Sequence, residues 1–90
     1  MITLMLPIAL RGIADGKSSV EVSGSTVGEA LADVTSKYPE MKRHIFDDDG
    51  NIRPFINAYL GEENVNALQG LDTPVADGAE LMLIPAMAGG

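Results

Sequence analysis

Apolar residues at Ile2, Leu4, Leu6 and Ile8 alternate with Thr3, Met5 and Pro7, the two-residue period of a strand with one face buried. The uncharged stretch from Met1 to Leu10 is therefore read as strand, with Pro7, which has no N–H to donate, facing away from a neighbour or sitting at a bulge. Asp15 between Gly12 and Gly16 predicts a reversal, and Val20 and Val22 then share one face of a second strand over 19–22, making a hairpin. At Thr26 the period changes. Val27, Ala30, Leu31, Val34 and Tyr38 recur at helical spacing, Thr26 and Glu29 have the spacing of a capping box, and Pro39 ends the run.

Beyond Pro39 the pattern is weaker. A shorter helical turn is expected over 41–46, then a turn through Asp47, Asp48, Asp49, Gly50 and Asn51. Residues 52–60 read as a strand with Ile56, Ala58 and Leu60 on one face and Phe55, Asn57 and Tyr59 on the other. Val65 can add a very short strand, 68–75 is irregular, and Ala76-Asp77-Gly78 turns the chain into a final strand over 80–85. Strand, strand, helix, strand, strand is the order of an α+β fold, one mixed sheet packed on one main helix. The domain is expected to span 1–85, followed by a flexible Gly-Gly tail at 86–90.

Composition narrows the chemistry. Ninety residues support one core, and a hydrophobic fraction of 46% argues for a globular chain. Thirteen acidic against six basic residues give a net charge of −7, which repels nucleic-acid phosphates and anionic membranes and favours a protein partner with a basic docking surface. The same charge also serves plain solubility. The absence of cysteine excludes a disulfide framework, a thiolate zinc site and a cysteine nucleophile, and fits a reducing cytoplasm. The apolar start lacks a basic n-region and is too short to span a bilayer.

Side-chain active sites find little support. Asp47–Asp49 lacks the acidic residue an EF-hand needs five positions before Gly50, where Ile45 stands, and lacks the closing Glu. His44 is the only histidine and is placed on an exposed helical turn; Ser18, Ser19, Ser23 and Ser25 have no nearby base, and no glycine-rich stretch ends in Lys-Ser or Lys-Thr. No metal site is expected.

The tail carries the signal. Pro85 closes the last strand, and Ala86, Met87, Ala88, Gly89 and Gly90 form a small, uncharged extension. Glycine has no Cβ, so a terminal pair can thread a narrow channel and bring the Gly90 carboxylate to a nucleotide phosphate. With Leu81 and Leu83 facing the core, Met82 and Ile84 face outward beside Met5, an apolar patch on the strand that leads into the tail. Met5, Met82 and Ile84, with Phe55, are the candidate docking residues.

The element order, the Ala76-Asp77-Gly78 turn and the ending Leu83-Ile84-Pro85-Ala86-Met87-Ala88-Gly89-Gly90 resemble the prokaryotic ubiquitin-like sulfur carriers of the MoaD/ThiS type. Pro7, Leu10-Arg11 and Phe55-Ile56-Asn57-Ala58-Tyr59 add likeness to the cysteine-biosynthesis carrier CysO. The resemblance covers nearly the whole chain. It implies a β-grasp fold and a carrier, not an enzyme, with no bound cofactor. An adenylating partner related to ubiquitin-activating enzymes, of the MoeB/ThiF kind, would use MgATP to join AMP to Gly90. A sulfide equivalent would then displace AMP to leave a thiocarboxylate, which a sulfur-accepting biosynthetic enzyme consumes. Three other fates stay open: conjugation of Gly90 to lysine as a protein modifier, service as the small non-catalytic subunit of a molybdopterin-synthase-like complex, and plain binding with an inert tail.

Overall fold

The computed structural model describes residues 1–53 and 56–85. Its elements are β1 (Ile2–Met5), α1 (Ile8–Arg11), β2 (Ser19–Val22), α2 (Val27–Lys37), α3 (Met41–Ile45), β3 (Ile56–Leu60), β4 (Glu63–Asn64) and β5 (Glu80–Pro85), with 3-10 turns at Val65–Ala67 and Gly70–Asp72. The five strands form one mixed sheet in the order β2-β1-β5-β3-β4. Only the central pair β1–β5 runs parallel, so the first and last strands of the chain lie side by side, the β-grasp arrangement.

The alternation read from the first residues holds through Leu6 and then stops. Ile2, Leu4 and Leu6 are buried, whereas Ile8 is 80% exposed and opens α1. Pro7 is the cause. Lacking an N–H it cannot extend the ladder, and its fixed φ of −69° with ψ 160° makes it the cap residue of a helical turn. The expected strand over residues 1–10 thus ends at Met5, and Leu10 reaches the core from a helix.

Helix α2 forms where its sequence places it. Thr26 Oγ1 accepts from the Glu29 N–H at 3.2 Å, and the Glu29 carboxylate reaches back to the Ser25 N–H at 2.7 Å, one residue before the cap itself. Val27, Ala30, Leu31 and Val34 are fully buried against Ile2, Leu4, Val22, Leu81 and Leu83 of the sheet's inner face. Met41 and Ile45 of α3 close the core beside them, and His44 is exposed as expected.

Two expectations in the second half need correction. Of the strand expected over residues 52–60, Ile56–Leu60 form β3, whereas Ile52 bridges Phe46 and the Arg53 N–H donates to the Ile45 carbonyl, anchoring those two residues to the end of α3. Val65 is not strand: it is a fully buried residue opening a 3-10 turn, after a two-residue β4 that ends on Asn64. The Asp47 carboxylate accepts the N–H groups of Asp49 and Asn51, which accounts for this acidic run as a turn.

Candidate functional site

Strand β5 positions the site. From Glu80 to Ile84 its residues alternate, Leu81 and Leu83 buried at 0% and 2%, Met82 and Ile84 exposed at 37% and 36%. A period of two on a strand with one covered face leaves no other arrangement. The turn before it is fixed by Gly78 at φ 85°, whose N–H donates to the Met1 carbonyl at 2.8 Å, and by the Asp77 carboxylate accepting from the Met1 ammonium. That ammonium holds the Asp77 carboxyl below the usual carboxylate range.

Register brings the outward residues together. Met82 lies between Met5 of β1 and Tyr59 of β3, with Ser19 and Asn64 continuing the same row to both sheet edges. Ile84 pairs with Asn57, and Pro85, the last residue of β5, with Ile56. Because β1 runs parallel to β5, α1 begins beside this same end of β5. A groove of about 400 Å³ there is lined by Met5, Ile8, Arg11, Met82, Ile84 and Pro85 among others. The opposite end of the face is acidic, Glu21 and Glu80 flanking Thr3.

Of the expected docking residues, the fold therefore brings Met5, Met82 and Ile84 onto one surface. Phe55 and the tail residues Ala86, Met87, Ala88, Gly89 and Gly90 lie outside the described residues. Ile8 and Tyr59 belong to this surface and were not singled out in the sequence. Ile8 was hidden by counting it as an inward strand position; Pro7 before it was the available signal, since proline commonly opens a helix. Among the described residues no group of three or more His, Asp or Glu side chains could hold a metal, and no helix is long and apolar enough to cross a membrane.

The family pattern described as the ThiS family matches residues 6–90. The chain belongs to the ThiS family. Its relatives include the sulfur carrier protein CysO of Mycobacterium tuberculosis, 34% identical over 91 residues covering 99% of this chain and 98% of that protein. The Amycolatopsis orientalis BexX/CysO complex contains a chain that superposes with a TM-score of 0.91 at 37% identity, covering 100% of both chains. The small archaeal modifier protein 1 of Methanosarcina acetivorans superposes at 0.84 with 30% identity, covering 99% of this chain and 95% of that one. The β-grasp, ubiquitin-like fold of this ThiS-family chain is thus shared with both carriers and modifiers.

Proposed function

We propose that this chain is a sulfur carrier whose reactive group is the Gly90 carboxylate and whose docking surface is the apolar strip of Met5, Met82 and Ile84 with Ile8 and Tyr59. One observation supports it above the rest: in a ThiS-family chain, β5 presents an exposed apolar face and is followed directly by the Ala86-Met87-Ala88-Gly89-Gly90 sequence. The strip supplies binding energy away from the reacting carbon, and the glycines let a partner's nucleotide pocket take the chain end.

The chemistry belongs to partners. A carboxylate is a poor acceptor because its leaving group would be oxide. In the adenylating partner, a Gly90 oxygen attacks the α-phosphorus of MgATP and pyrophosphate departs, leaving an acyl adenylate with AMP as a good leaving group. A sulfide-equivalent nucleophile then adds at the carbonyl carbon and expels AMP. The product thiocarboxylate holds sulfur that is softer and more nucleophilic than oxygen, ready for a biosynthetic acceptor enzyme. In this scheme no side chain of this chain acts as acid, base or nucleophile; it contributes the Gly90 carboxylate and the docking surface.

The likeness to a small archaeal modifier favours one second reading, attack on the same adenylate by a lysine amine to give an isopeptide bond. Both fates require the Gly90 carboxylate. Deleting Gly90, or replacing Gly89 with Phe, should abolish ATP–pyrophosphate exchange by the adenylating partner while thermal unfolding stays unchanged. Normal exchange with the Gly90-deleted chain would contradict both.

A further inference from the structure

The open edge of the sheet at β2 is guarded by two side chains of α2. The Leu6 N–H donates to the Ser18 carbonyl, and Leu4 pairs with Val20 and Ile2 with Val22, so these alternate residues bond inward to β1. The backbone groups of Ser19, Glu21 and Ser23 must then point to the outer edge. Two of them are taken. Lys37 Nζ donates to the Glu21 carbonyl at 2.9 Å, and the Ser23 N–H donates to Asp33 Oδ2 at 2.9 Å. Asp33 and Lys37 are one helical turn apart and pair with each other at 3.2 Å. Between them they offer one donor and one acceptor to residues 21 and 23, as a residue of a parallel neighbouring strand would.

The pair is a poor stability device, since both side chains are partly exposed, at 27% and 47%, and exposed ion pairs contribute little. Its geometry suits a different task, because an unpaired strand edge is a template for another chain. We infer that the Asp33–Lys37 clasp keeps the β2 edge shut against strand addition by a second copy of this chain. A second copy is the occupant that fits. Two β2 strands laid antiparallel about a two-fold axis pair 21 with 21 and 19 with 23, and the buried rows of Val20 and Val22 continue across the joint. In that register the clasp removes about four of the six edge bonds, because symmetry repeats each loss. The inference is independent of the sulfur-carrier reading and rests on no tail residue.

The full chain carrying Asp33→Ala and Lys37→Ala tests it by light scattering on a sizing column over a concentration series. The parent is expected to stay at 9.5 kDa at every concentration, while the double variant moves toward twice that mass. Its unfolding midpoint should fall by no more than about 5 °C, as an exposed pair implies. Adding Glu21→Pro, which removes an outward N–H at a position where an edge strand tolerates proline, should return the double variant to 9.5 kDa. Lys37→Met alone, which frees only the Glu21 carbonyl and keeps the helix, should give partial association. A double variant that remains at the parent mass overturns the inference. So does assembly beyond two chains, or association that persists with proline at residue 21.

Discussion

Neighbouring residues on β5 should divide cleanly between stability and binding. Leu83 is 2% exposed and packed in the core, and its truncation to Ala should cost about 2–5 kcal/mol, the range for buried large-to-small changes. For a chain of this size that lowers the unfolding midpoint by on the order of 10–30 °C. Ile84, one residue on, keeps 36% of its surface in water. Complete burial of such a side chain is worth about 1.5–3 kcal/mol, so Ile84→Asp forfeits a fraction of that, about 1–2 kcal/mol. Against the proposed adenylating partner the ranking should reverse. A carboxylate pressed into an apolar contact costs at least about 2 kcal/mol, or roughly thirtyfold in affinity, whereas Leu83→Ala should bind within about threefold of the parent at a temperature where it is folded. Thermal unfolding by circular dichroism and calorimetric titration of the partner measure the two quantities on the same samples. Equal stability losses for the two variants, or parental affinity for Ile84→Asp, would refute the division of β5 into a core face and a docking face.

Two glycines should respond in opposite directions to Ala. A Cβ at Gly24 would sit 2.7 Å from the Ala30 nitrogen and 2.9 Å from the Glu29 carbonyl carbon, backbone atoms of α2 that cannot step aside, so Gly24→Ala should destabilise by about 1–3 kcal/mol in urea unfolding. Gly12, in the right-handed helical region with nothing near its missing Cβ, should gain about 0.4–1 kcal/mol when replaced by Ala. The Asp33 carboxyl titrates below its ordinary 3.8 because the Ser23 N–H and then Lys37 favour its charged form. A lowered folded value means the contribution is present above the unfolded value near 3.8 and is lost as pH falls through the folded one. The urea midpoints of parent and Asp33→Asn should therefore differ at pH 6 and converge in acid; a constant gap would contradict this assignment.

Much of the fold is written in local pattern because local pattern decides it. Helix α2 lies between Thr26 and Pro39 because a cap and a breaker bracket one apolar stripe, and β5 follows from alternation behind a Gly turn. The misreadings fall where a local signal meets a tertiary one. Alternation carried the first strand through Ile8, but proline chemistry at Pro7 redirected it. Ile52 fits a strand by itself and is claimed instead by Phe46, a partner that no residue count near Ile52 announces. The proposed docking strip was legible in part. Met82 and Ile84 come from the period of β5, and Met5 from that of β1, but the addition of Tyr59 depends on the β3–β5 register and that of Ile8 on the start of α1. The Asp33–Lys37 clasp was invisible, since i,i+4 pairs are common on helices and only the position of β2 gives this one a role.

Intact-mass spectrometry of the full chain after incubation with the proposed adenylating partner, MgATP and a sulfide source tests the carrier account most directly. The account predicts a gain equal to exchange of one oxygen for sulfur, located on Gly90 by fragmentation and absent without ATP. An unchanged mass under conditions where the partner turns over ATP, or sulfur found on any residue other than Gly90, would contradict it.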